Sequence, residues 1–551
     1  MYQLLLRLTD FVARILPVRR PQILASGSTI HNSERIVAFL LFAIFAAAFC
    51  YFQLVTAWFH QLDTAFLMET LASIKKTGIP TTYLGPSFVD AYSTFFLNAE
   101  SLCNADLIPT GRGLSVFDSH AYYILYPLAA LTWLFPPHVI LAVANGLGFV
   151  LVIFIVYWVI RKQGVPILAA IAFCLLVIAH PAWSHASLGN FYADRFFMPL
   201  GLLYISLLYG LITRKADMNR RYWALLLVVG LFAAATTERA ALMIALFTIA
   251  SLVLFWKEVG IRAPRIVLTL FSLALLLHVF IYIKFLYVFH PGTTSLGTTL
   301  QKAILFFELL QSPTYVAQVR EFIAINVLLF GLFAFIHWRL ALIAFATLLP
   351  NLVTTIGGAE KTGWATHYHS MYFPFLAFAA AIGYSKLWVS LRQTKYQLLL
   401  IALLLVLIPT ISRYSDGYGN QKGAVKRVYE FYANGSQSYE KYLASQFQQI
   451  LAAVPAGATV TTSEGFVSTL YRDRTIYYYP VGIDTADYAV LTRVSQPDGS
   501  FYYAGAVSYI GESQKVDMCL TERLKKTGFN VDQPRLLVGN MAVLERESKH
   551  K

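Results

Sequence analysis

Blocks of about 20 apolar residues recur along most of the chain, which is the length a helix needs to cross the hydrocarbon of a bilayer. The first, Ile36 to Phe59, runs straight into His60-Gln61-Leu62-Asp63. A carboxylate where a helix leaves the membrane is costly to keep near lipid, so Asp63 is a site candidate by position alone. The competing reading is an interfacial, solvated and idle Asp.

With 57% hydrophobic and only 13% charged residues, a soluble domain is excluded, and a polytopic helical membrane protein of about 11–13 transmembrane helices is expected. The net charge of +14 sits largely in short connectors, so it reads as topology and not as a nucleic-acid footprint. Arg161-Lys162, Arg214–Arg221, Lys257–Arg265, Arg339 and Lys386–Lys395 are the basic connectors, assigned to the cytoplasm. The N-terminus is then cytoplasmic and the C-terminal part extracytoplasmic. Parity is off by one between Ala121–Phe135 and Val139–Ile160. Either the first of these does not cross, or a crossing hides in the preceding loop, or Arg161-Lys162 is external.

Three regions follow. Residues 1–34 are an amphipathic cytoplasmic helix (Met1–Arg20) and a linker. Residues 35–412 are the transmembrane part, with a first external loop at 60–120 too long to be a plain connector. Within it Leu67–Lys76 reads as a short helix ended by Thr77-Gly78-Ile79-Pro80, and Ala91–Asn104 as another. Residues 413–551 turn polar and read as a small α/β domain. Its expected helices are Ser438–Ala453 and Thr521–Thr527, and its strands are Ala458–Thr462, Thr475–Pro480, Tyr488–Thr492 and Met541–Glu545. Cys103 and Cys519 fall outside the cytoplasm, where a disulfide is permitted; Cys50 and Cys174 lie in apolar runs.

Polar clusters end several apolar runs on one expected face. They are Asp118-Ser119-His120, Asn190 to Arg195 with Asp194, Thr237-Glu238-Arg239, and Glu360-Lys361 followed by His367-Tyr368-His369. Carboxylates with imidazoles and cations can deprotonate a hydroxyl and hold a phosphate. Asp194-Arg195 and Glu238-Arg239 read equally well as self-neutralising helix-end pairs. His367 and His369 read as ligands of a divalent metal with Asp63 or Asp118, or as solvated interfacial imidazoles. Nucleotide-binding and zinc-peptidase motifs are absent, which argues against an ATP-driven pump or such a protease.

These segments resemble the GT-C class of integral membrane glycosyltransferases, most nearly an uncharacterised family of predicted bacterial membrane proteins. The matching stretches are Gln61-Leu62-Asp63, Asp118-Ser119-His120-Ala121, Asn190 to Phe196, Thr237 to Ala241, His367-Tyr368-His369, Val454 to Val460 and Ala486 to Leu491. The resemblance implies a GT-C-like fold in a bacterial inner membrane. It implies inverting hexosyl or pentosyl transfer from a polyprenyl-phosphate-linked sugar donor to a glycan, lipid or protein acceptor outside the cytoplasm. Asp63 then falls at the position of the general base or metal-linked acid. Many members carry paired acids there; this chain has Thr64 next, so Asp118 or Asp194 would supply the second. His120, Arg195, Glu238, Arg239, Lys361, His367 and His369 are the substrate-binding candidates. The alternative is a secondary transporter or flippase for an anionic lipid, although no internal repeat is visible.

Overall fold

The computed structural model describes residues 32–56, 62–84, 113–118, 120–188, 191–213, 220–259, 262–286, 310–349, 351, 368–391, 393–417, 422–471, 473–505 and 513–547. Met1–Arg20, Ala91–Asn104 and Cys103 lie outside the described residues.

The helices are α1 (Asn32–Val55), α2 (Leu62–Thr77), α3 (Leu125–Ala130), α4 (Pro137–Lys162), α5 (Ile167–Ala179), α6 (Phe197–Thr213), α7 (Arg220–Ala234), α8 (Glu238–Leu254) and α9 (Arg262–Ile281). They continue with α10 (Pro313–Asn326), α11 (Trp338–Ala346), α12 (His369–Ser390), α13 (Thr394–Gly417), α14 (Ala424–Ala433), α15 (Tyr439–Ala453) and α16 (Ser513–Lys526). The strands are β1 (Thr81–Thr82), β2 (Leu114–Ser115), β3 (Thr459–Thr462), β4 (Thr475–Tyr478), β5 (Tyr488–Ser495), β6 (Phe501–Ala504), β7 (Leu536–Val538) and β8 (Met541–Glu545).

Among the described residues, seven helices are long and apolar enough to cross a membrane, or eight if Ile167–Ala179 and Pro181–Leu188, bent by 66°, form one broken span. The sequence promised more because several apolar runs fold short. Arg221–Ala234 falls below spanning length, and Tyr315–Ala346 is one helical path of 32 residues, kinked at His337 (φ −116°, ψ 69°). The exposed side chains of α1 are Val37, Leu40, Leu41 and Ile44, and those of α9 include Leu270, Leu277 and Phe280. A continuous apolar face of this kind is stable only against lipid tails.

The chain divides into two compact units. The first comprises residues 1–50, 119–124 and 144–429. Here Glu34, at the start of α1, is paired with buried Arg161, at the end of α4, through Nη2–Oε2 at 2.6 Å and a second contact from Nε; the Tyr157 hydroxyl donates to Glu34 at 3.1 Å. The start of α1 and the end of α4 therefore share one end of the bundle. The Ala121–Phe135 run does not cross: only the six residues of α3 and a following 3-10 turn are helical, and six residues rise about 9 Å. In the same unit α12 packs directly on the turn Leu332–Ala334. A Cβ on Gly383 would lie 1.8 Å from the Phe333 carbonyl oxygen, so only glycine permits this approach.

The second unit comprises residues 51–118, 125–143 and 430–551. Its sheet has strand order β4-β3-β5-β8-β7, with β6 on β5. β3 runs parallel to β4 and β5, while β5–β6, β5–β8 and β7–β8 are antiparallel. Tyr488 to Leu491 and Met541 to Leu544 are buried in unbroken runs, as central strands covered on both faces require. β6, β7 and α14 had no expectation. Gly78 (φ +76°) and Gly528 (φ +90°) end α2 and α16 in the left-handed region that favours glycine. Cys519 is disulfide-bonded, and Cys50 and Cys174 are buried free thiols.

Candidate active site

The site grows from the turn between α7 and α8. Thr236 and Thr237 break the helical path, and Thr237 is extended (φ −171°, ψ 161°), so Glu238 starts α8 with its carboxylate turned back over the helix start. Carboxylates are favoured there by the orphan N–H groups and the helix dipole. The segment 120–124 lies alongside, fixed by Ile124 N–H donating to the Ala235 carbonyl at 2.8 Å.

Three groups converge on Glu238. His120 Nδ1 donates to Oε1 at 3.2 Å, Ala121 N–H donates to Oε2 at 3.1 Å, and the Thr237 hydroxyl donates to Oε2 at 2.9 Å. Arg239 Nε lies 3.8 Å from Oε1, with its guanidinium over the Tyr368 ring, 5.0 Å from the centroid. The His120 imidazole stacks on Tyr122 (4.9 Å, 24°).

Asp194 joins the same cluster. It sits in the 3-10 turn Ala193–Phe196 before α6 and is buried. Arg239, His120, Tyr122 and the like-charged Glu238 are the groups that act on it. Arg195, also buried, turns toward the Tyr192 ring at 5.4 Å.

Burial is graded within the cluster. The Glu238 side chain is 11% exposed, whereas His120 is 29% and Arg239 34% exposed. The carboxylates form a buried floor, and the imidazole and guanidinium form the accessible rim. Such a rim recognises an anion, and the His–Glu pair can hold or pass a proton at Nε2 of His120.

The remaining candidates distribute as follows. Asp118 accepts Ser115 N–H at 3.2 Å within its own turn. His369 is fully buried at the start of α12, Nδ1 3.0 Å from the Tyr372 hydroxyl, its ring stacked on Phe322. Asp63 is the second residue of α2, and its side chain lies outside the described residues, as do Lys361 and His367. No group of three His, Cys, Asp or Glu among the described residues is arranged to hold a metal ion. Tyr122, Tyr368 and Thr237 complete the cluster; Thr237 and Tyr368 lie within the polar breaks named from the sequence, with no role of their own. The only signal for Tyr368 is that it separates two histidines in a polar break.

Beside the cluster is an apolar cavity of about 450 Å³ with Ile124, Leu151, Phe154, Phe196, Pro199 and Phe232 in its lining.

Fold and cluster together define an integral membrane protein with a cluster of charged side chains at the start of α8. The chain matches the family described as "Predicted membrane protein (DUF2079)" over residues 80–499, and it belongs to that family. No curated protein matches the sequence. Among solved structures the chain is similar to ArnT from Cupriavidus metallidurans, a crystal structure bound to undecaprenyl phosphate. Identity is 12% and the TM-score 0.42, covering 93% of this chain and 98% of that one.

Proposed function

We propose that this protein is a glycosyltransferase that moves a sugar from a polyprenyl-phosphate carrier to an acceptor hydroxyl outside the cytoplasm. One observation carries the reading: an accessible arginine and histidine, Arg239 and His120, rest on the buried carboxylates Glu238 and Asp194.

In this reading the acceptor oxygen attacks the anomeric carbon of the sugar, and the bond from that carbon to the phosphate oxygen breaks. The carrier phosphate leaves with the bonding pair. Its charge develops beside Arg239 and His120, and Glu238 keeps His120 oriented. Arg195 and Lys361 are further phosphate-binding candidates. The acceptor proton goes to a carboxylate, which the resemblance to GT-C enzymes puts at Asp63, with Asp194 or Asp118 as the second acid. Charge stabilisation worth about 3–4 kcal/mol per donor is typical of such sites. The apolar cavity beside the cluster is suited to the first part of a lipid tail.

Orientation follows from charge. The end bearing Arg161, Lys162, Lys257 and Arg339 is assigned to the cytoplasm of a bacterial inner membrane, and the cluster to the opposite face.

The test is transfer of radiolabelled sugar from a polyprenyl-phosphate donor by purified protein in proteoliposomes. Product that depends on Arg239 and Asp63 supports the reading. Substrate-dependent ion flux without product would instead support the transporter alternative.

A further inference from the structure

A second polar and apolar constellation lies in the unit that holds α2 and α3, on residues the proposed chemistry does not use. α3 ends in the 3-10 turn Leu131–Trp133, and Leu134-Phe135-Pro136 leads into α4, which begins at Pro137. Trp133 is 73% and Leu134 74% exposed, with Phe135 and Leu131 about half exposed. Four large apolar side chains on a convex tip, one residue from the start of a membrane span, have no reason to face water.

Behind the tip lies the C-terminal turn of α2. Lys75 Nζ donates to the Thr132 carbonyl at 2.8 Å and lies over the Trp133 ring, 5.0 Å from its centroid. An ammonium has three donors, so Lys75 keeps two for another acceptor. Lys75, Lys76, Thr132, Trp133 and Phe135 line a cavity of about 630 Å³, and no acidic side chain lines it among the described residues.

We infer that this cavity binds the phosphate headgroup of an anionic membrane phospholipid, with the Leu131–Phe135 tip inserted between the tails. Charge complementarity selects an anion. The span beginning at Pro137 puts the cavity at headgroup depth, where lysines sit beside interfacial aromatics. The tip then fixes the depth of α2, the helix whose second residue is Asp63.

The test uses full-length protein in nanodiscs of phosphatidylcholine, titrated with brominated phosphatidylglycerol or brominated phosphatidylcholine. Quenching of Trp133 is taken as the difference between wild type and Trp133→Phe. The expected result is quenching selective for phosphatidylglycerol. Its half-point should shift by roughly fivefold in Lys76→Gln and about 20-fold in the double variant with Lys75→Gln. If the double variant does not elute as a folded species, Lys76→Gln alone decides, because Lys76 makes no hydrogen bond in the described cavity wall. Equal quenching by both lipids overturns the inference, as does an unchanged half-point in Lys76→Gln. Displacement of phosphatidylglycerol by lower concentrations of undecaprenyl phosphate overturns it in favour of the carrier. None of these readouts needs sugar transfer, so failure here and failure of the proposed activity are separable.

Discussion

His120 Nδ1 and Glu238 Oε1 lie 3.2 Å apart although 118 positions separate them in the chain. The contact ties the segment 120–124 to the start of α8, and it joins two isolated polar breaks into one hydrogen-bonded pair. Glu238 is not neutralised by Arg239 alone, as a simple helix-end pair would be.

Replacing Glu238 separates charge from shape. In Glu238→Gln the amide oxygen still accepts from Ala121, and the fold is expected to survive with a loss of about 1–2 kcal/mol. His120 loses its anionic partner, and transfer is expected to fall at least tenfold. Glu238→Ala leaves Arg239, Ala121 N–H and Thr237 facing an emptied site and is expected to cost about 3–5 kcal/mol. Thermal unfolding in detergent, followed by fluorescence-detected size exclusion, distinguishes the two.

The Glu34–Arg161 pair fixes the direction of α1 against α4. Arg161→Gln strands a buried carboxylate, and a loss of about 3–5 kcal/mol is expected in the same unfolding assay. The topology has its own check. A cysteine introduced at Gln163 should react with a membrane-impermeant maleimide only in inverted vesicles; labelling in intact spheroplasts would reverse the proposed orientation.

Gly383 is a packing constraint with no chemical role. Gly383→Ala pushes a methyl into the Phe333 carbonyl, backbone against backbone, so α12 must shift. About 1–3 kcal/mol of destabilisation is expected, without a change in donor affinity among molecules that remain folded. A wild-type melting temperature would mean the two segments are not in contact.

Glu69, outside the spans, gives a signed pH effect. Its carboxylate accepts from the Thr82 hydroxyl at 2.6 Å and from the N–H groups of Tyr83 and Leu84, both at 2.9 Å. Burial is the largest influence on it and raises its pKa above the ordinary carboxylate value; the three hydrogen bonds pull the other way. For an acid raised in the folded state, the unfolded chain binds fewer protons between the two pKa values. Its contribution is therefore present below the ordinary value and lost as pH rises through the raised one. Glu69→Gln is expected to remove that slope from a stability–pH profile and leave neutral-pH stability equal or higher.

The class of the protein could be read directly, because runs such as Val139–Ile160 and Met371–Leu387 are too apolar and too long for anything but a membrane. Local chemistry also announced the glycine that ends α2 and a helix from Ser438; the serine is its cap, Ser438 Oγ accepting Lys441 N–H at 3.3 Å. For the Ala121–Phe135 run a segment that does not cross was one of the readings left open, because composition does not reveal backbone pairing. Ile124 N–H is taken by the Ala235 carbonyl, and only α3 and the 3-10 turn after it are helical. Glu238, His120, Asp194 and Arg239 were recognisable as candidates from their place at the ends of apolar runs. Their pairing was not, since it depends on which helix ends meet. The partners of Tyr368 and Tyr122 were hidden for the same reason: an aromatic beside the membrane reads as interfacial until a guanidinium or imidazole is found against it.

The most direct measurement is release of polyprenyl phosphate from a polyprenyl-phosphate sugar by the reconstituted protein and by Arg239→Gln and Arg239→Lys. The account predicts release by the wild type, a loss of roughly 100-fold or more in Arg239→Gln, and partial recovery in Arg239→Lys, which restores the charge without the planar fork. Release by Arg239→Gln at the wild-type rate, from protein of unchanged melting temperature, would contradict it.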